Sequence, residues 1–213
     1  MIGEGRQHAW LQLYADPPGN PKRNGTLSTR NSRTLKRRAT TVGMKAAPKS
    51  LVFAQRNIAT LRDFLPKVQQ PGVARFIHYM LSIHPAERLP SRRLFDPLAI
   101  PGLLSGVALA AVERDGQQVR LRMKVVGQDL VDASPVRLAQ RYVDEVLRDL
   151  PGAEVILKSR LQVVETGCAY LRRGAPSMPF TYRMTALEYV HCPLSEDGET
   201  VDQIVSYFSY RKS

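Results

Sequence analysis

Four histidines, two cysteines and a scatter of carboxylates are the residues of this chain that could do chemistry. His191 and Ser195 stand four apart near a strand end, the pairing of a base with a hydroxyl nucleophile, but no Gly-rich elbow presents the serine. Glu188 and Asp197 could form a carboxylate pair, yet Asp197 falls in "SEDGE", a turn whose acids stay hydrated. Cys168 and Cys192 have neither metal-ligand spacing nor a disulfide framework, and His8, His78, His84 and His191 form no His-x-x-x-His or His-Glu pair. "GAPSMP" and "GVALAAVERDG" lack the ending and the strand–loop–helix setting of a phosphate loop. These residues argue for a chain that is not an enzyme and holds no structural metal, with reduced thiols in the cytoplasm.

Charge is the next signal. The 213 residues carry a formal net charge of +12. Residues 1–50 hold ten bases and two acids, a net +8, which leaves +4 for residues 51–213. This first segment is dense in Pro, Gly, Asn, Ser, Thr and Arg and lacks apolar periodicity, so it is expected to be a disordered basic arm. Lys36-Arg37-Arg38 is a candidate contact to nucleic acid or anionic lipid, weak and sequence-blind in the nucleic-acid case. The alternatives are a solvated tail, or sequence upstream of a true start at Met44, which would leave residues 1–43 outside the mature protein. No run of about 18 apolar residues suggests a membrane span.

The elements follow from periodicity. Leu51, Ala54, Ile58, Leu61 and Leu65 make a helical stripe over 51–66, ended by Pro66. Val73, Phe76, Ile77, Met80, Leu81 and His84 make a second, between Pro71 and Pro85. A hairpin is expected next, Val107 to Val112 and Val119 to Val126 around Asp115-Gly116. In its second strand Arg120, Arg122 and Lys124 alternate with apolar residues and form a solvated cation row, or an anion contact. Ser134-Pro135 starts a helix read to residue 150. Residues 153–166 suit either a helix or a strand. Three strands close the chain, Cys168 to Arg172, Phe180 to Cys192 and Val201 to Tyr210. Asp197-Gly198 supplies the turn of the last hairpin. The result is an α+β domain with one five-stranded antiparallel sheet and its helices on one face.

Three stretches, "LPSRRLFDPLAIPGLL", "RLRMKVVGQDL" and "ALEYVHCPLSEDGETVDQIVSYFSY", resemble the stand-alone PAS-like domain family of alphaproteobacterial hypothetical proteins. The resemblance spans roughly Pro71 to Tyr210, within a PAS-like domain set at 71–213. It marks Pro90, Arg92, Asp96, Pro97, Arg122, Gly127, Pro193, Leu194, Ser195, Asp197 and Gly198 as the family's motif positions. Lys124 and Gln128 depart from its pattern. The resemblance implies a sensory or adaptor protein in signalling, binding an unknown small ligand or protein partner. Its pocket would lie on the concave sheet face under the 136–150 helix, lined by Met123, Val125, Tyr142, Tyr182, Met184 and Glu188. The absence of Cys in "DLVDASPVRLA" argues against a light-sensing flavin, and the absence of His from residues 127–166 against haem. No kinase, cyclase or helix-turn-helix segment is legible, so output is expected through a partner. The stripe over 51–65, with no evident partner of its own, implies a homodimer.

Overall fold

Proline placement and apolar spacing set the first half of the chain. α1 (Lys49–Phe64) carries the first stripe, and a 3₁₀ turn at Leu65–Lys67 accommodates Pro66. α2 (Pro71–Ser82) begins on Pro71, whose fixed φ and missing N–H suit a first helical position. The computed structural model describes residues 47–181 and 184–212. The expected disordered arm lies, up to residue 46, outside the described residues. The Pro-rich stretch forms 3₁₀ turns at Arg92–Leu94, Pro97–Ala99 and Pro101–Gly106. β1 (Val107–Asp115) and β2 (Gln118–Val126) make the expected first hairpin. Three helices follow, α3 (Gln128–Ala133), α4 (Val143–Leu147) and α5 (Ala153–Thr166). β3 (Tyr170–Gly174), β4 (Met184–Leu194) and β5 (Gln203–Lys212) complete the described chain.

The architecture of the described residues is α+β, with a five-stranded sheet that is antiparallel throughout in the order β2-β1-β5-β4-β3. The last hairpin therefore supplies two of the inner strands. Its turn is tied down. Gly198 has φ +83°, a left-handed conformation that L side chains seldom adopt, and a β-carbon there would sit 2.7 Å from Arg88 Cβ.

Helices cover both faces of the sheet, which corrects the one-face expectation. Val107, Leu109, Val190 and Val205 point to one core with Phe76 and Ile77 of α2. Ala108, Ala110, Met123 and Ile204 point to the other, with Val146 of α4 and Val163 of α5. The near-continuous apolar runs of β1 and β5 are the pattern of strands buried on both sides.

α1 also differs from expectation. Ala54 and Leu61 are fully buried, and Leu61 belongs to the α2-side core. Asn57, also fully buried, accepts the Ala169 N–H at 2.8 Å and meets His84 Nε2 at 3.0 Å. Part of the stripe thus packs within its own chain, while Leu51, Ile58 and Leu65 stay half-buried, so the stripe is not free along its whole length for a homodimer.

The 136–150 helix shrinks to α4. Residues 140–142 instead run along the outer edge of β2, with Gln140 N donating to Met123 O at 2.8 Å and Met123 N to Arg141 O at 2.9 Å. Arg122 and Tyr142 form a bridge pair there. An unpaired edge leaves backbone groups open, and this segment satisfies them in place of a helical turn. The ambiguous 153–166 segment is helical.

Candidate functional site

A cavity of about 80 Å³ lies between the sheet and the α3–α5 layer. Met123 of β2, Leu187 and Tyr189 of β4 and Phe208 of β5 form its floor. Leu130, Val146 and Ile156 from the three helices close it from above, and residues 177–180 contribute Ser177, Met178 and Phe180. Its volume is about half that of an apolar cavity known to take benzene.

The cavity's polar groups are few and unusual. Arg160 of α5 lines it while only 7% exposed. Its Nη1 donates to Ile156 O at 3.0 Å, and no carboxylate pairs with it among the described residues. Burial pulls the Arg160 guanidinium below its ordinary value, partly offset by Tyr189. The Tyr189 hydroxyl and Ser177 Oγ are buried without a hydrogen-bond partner. Arg172 lines the same space, its guanidinium 6.0 Å from the Tyr189 ring centre. Among the described residues no lining side chain is acidic.

Beside this cluster His191 is fully buried. Its Nδ1 lies 2.7 Å from Ser206 Oγ and its Nε2 has no partner. Burial, then the positive charge of Arg160, drives its pKa well below the usual imidazole range, so it is neutral. Tyr189, 4.7 Å away between ring centres, bridges it to the cavity.

Of the expected pocket residues whose side chains are described, one lines this cavity. Met123 lines the cavity. Val125 is 49% exposed and outside it. Tyr142 is also outside, on the surface of the β2 edge. Tyr182 lies outside the described residues, as does the side chain of Met184. Glu188 is buried at 1% exposure but serves another site. Its carboxylate accepts Gln69 N at 3.1 Å through both oxygens and Gln70 N at 2.6 Å, and so ties down the segment that leads into α2. A register irregularity between Met184 and Ala186 interrupts the alternation used to group these positions.

The cation row is not a free anion surface. Arg120 stands 3.7 Å from the Tyr142 ring centre and pairs with Asp144 at 3.0 Å and Glu145 at 2.6 Å. Glu113 takes Arg122 at 3.5 Å and Lys124 at 3.7 Å. It also accepts the Tyr142 hydroxyl at 2.6 Å. That hydroxyl, then the two cations, hold the Glu113 carboxyl below its ordinary value. Three acids and an aromatic ring already answer three bases.

The motif positions are structural joints. Ser195 N donates to Pro90 O at 2.9 Å, and Arg92 N to Glu196 Oε1 at 3.2 Å, so the first and third motif stretches meet. Arg92 Nη1 donates to Phe95 O at 2.8 Å. Asp96 Oδ1 caps Leu98 N at 2.9 Å ahead of the turn that Pro97 opens. Leu194, after Pro193 in β4, is buried, and its carbonyl accepts Asp202 N. Ser195 Oγ donates to Asp197 Oδ1 and accepts Gly198 N at 2.8 Å. Asp197 Oδ1 also takes Glu199 N at 2.7 Å and Thr200 N at 2.6 Å. Those N–H groups hold its carboxyl far below the ordinary range. This acid organises the turn rather than simply staying hydrated. Arg122 donates to the Tyr142 hydroxyl at 3.1 Å. Gly127 N donates to Val107 O at 2.8 Å, and a β-carbon there would overlap the Ser105 carbonyl.

Neither of the two side-chain pairings weighed in the sequence forms. Ser195 is engaged in the turn and His191 with Ser206. Glu188 ties down the segment that leads into α2, whereas Asp197 holds the turn. Among the described residues no three His, Cys, Asp or Glu side chains cluster as metal ligands. No helix among them is long and apolar enough to cross a membrane. Comparison with family models, curated proteins and solved structures finds no match.

Proposed function

We propose that this chain is a PAS-like sensory or adaptor module of the cytoplasm, binding a small ligand between its sheet and the α3–α5 layer. The strand order β2-β1-β5-β4-β3, with the last hairpin inside the sheet, supports the PAS-like assignment. The observation that carries the ligand-binding reading is the cavity itself: apolar walls around a few buried, unpaired polar groups, the composition of a small-molecule site. Mass spectrometry of extracts from natively purified full-length protein tests it. A small molecule retained in stoichiometric amount supports the reading. An empty protein that no small molecule stabilises overturns it.

A second reading rests on the +8 net charge of residues 1–50. It makes the chain a nucleic-acid-associated protein that binds through this arm. Steep salt dependence of duplex binding, lost on deleting residues 1–50, is its signature.

A further inference from the structure

A buried guanidinium normally has a carboxylate beside it, because an uncompensated charge out of water is costly. Arg160 has none among the described residues, although it sits on an otherwise apolar helix face at 7% exposure. One of its five N–H groups goes to Ile156 O. Tyr189 OH and Ser177 Oγ, two further possible donors, line the same cavity unpaired. Arg172 adds a second positive charge, and no acid among the described lining residues opposes either. Every feature that departs from an ordinary core here favours a negative charge entering from outside the chain.

We propose that the cavity binds a small monocarboxylate with a short apolar tail, its carboxylate against Arg160 and the Tyr189 hydroxyl. The planar guanidinium matches a carboxylate's two oxygens. The tail would lie among Leu130, Val146, Ile156 and Phe208. A volume of about 80 Å³ suits a short tail. Loaded in this way, Arg160 gains the counter-charge its own chain withholds. The proposal rests on the ligand-binding reading above and names the ligand class.

Titration calorimetry on the full-length protein compares acetate, butyrate and hexanoate with butyramide, a neutral near-isostere of butyrate. A charged hydrogen-bonded pair predicts butyrate binding about 10- to 100-fold tighter than butyramide. Arg160→Met should abolish that ratio while leaving butyramide affinity within about threefold. Tyr189→Phe, which keeps the volume, should weaken butyrate more than butyramide and serves if Arg160→Met does not fold. Equal affinities for acid and amide overturn the carboxylate inference and leave a ligand-binding cavity standing. A neutral or cationic molecule retained through purification does the same. No binding of any probe at 10 mM, together with an empty purified protein, overturns both, and assigns the cavity to bound water.

Discussion

Glu188→Gln is the substitution that most sharply separates a structural carboxylate from a ligand-facing one. The side chain keeps its shape, so no cavity opens. What changes is the charge and one acceptor oxygen, placed against Gln69 N and Gln70 N at the start of α2. A hydrogen bond to a charged group contributes about 1.5–3 kcal/mol, and a carboxylate at a partly buried helix N-terminus up to about 2 kcal/mol more. The glutamine amide also turns a donor toward two donors, or leaves one of them unpaired. A loss of about 3 kcal/mol follows, which for a domain of this size lowers Tm by about 6–12 °C. Urea denaturation followed by far-ultraviolet circular dichroism measures it, with an unchanged m-value as the control. Small-molecule affinity should not change, because Glu188 faces the α2 side of the sheet. A loss under about 1 kcal/mol, or a change in ligand affinity at full stability, would refute the tethering role.

Leu61→Ala should cost about 2–5 kcal/mol by emptying a fully buried site, with no change of mass in light scattering; a well-folded variant that shifts from dimer to monomer would restore the dimer reading. Stability should fall on acidification from pH 7.5 to 5.5. Burial lowers the folded-state pKa of His84 and His191, so the unfolded chain takes up protons first as pH drops below about 6.5. The loss approaches about 1.4 kcal/mol for His191 at one unit below that value, and equal or greater stability at pH 5.5 in denaturant titrations would contradict it. Asp197→Asn should destabilise the protein at pH 7 by about 1–2 kcal/mol through the turn. Its folded pKa is depressed, so the gap between variant and parent is present above about pH 4 and closes as pH falls further; a gap that widens in acid refutes this. In the native protein a thiol reagent should reach Cys168 and spare Cys192, which is fully buried with its pKa pushed up; two thiols reacting at equal rates would count against that burial.

The sheet was legible because strands announce themselves twice. Val119, Leu121, Met123 and Val125 alternate with charged residues, and Asp115-Gly116 and Asp197-Gly198 mark the two hairpins. The helical layer was harder. Val136 and Leu138 belong to an irregular segment, yet they pack on the same core as α4 and so mimic its stripe. Nothing in their spacing separates a helix from a loop whose apolar residues face inward. In α5, Val155, Ile156, Val163 and Val164 pull local preference toward a strand, and packing against β3 and β4 decides for the helix. The second covered face was legible in principle, since "VALAAV" and "IVSYF" leave no polar side to face water.

The site was less legible because its decisive contacts are long-range. The principle that an inward Glu188 needs a partner holds, but the partner is a pair of backbone N–H groups 118 and 119 residues away, and backbone donors carry no sequence signature. Arg160 did leave a signal. Ala153, Ile156, Arg160 and Val163 are spaced 3, 4 and 3, so the arginine occupies an apolar position of its own helix stripe. A stripe drawn instead through Leu157, Leu161 and Val164 hides this, because it puts Arg160 on the flank where a cation is ordinary. On the correct stripe the arginine is an exception that the fold must answer. The described chain supplies no acid to answer it, only the Tyr189 and Ser177 hydroxyls around an open volume. The carboxylate proposed for this cavity would supply the counter-charge that the described residues do not.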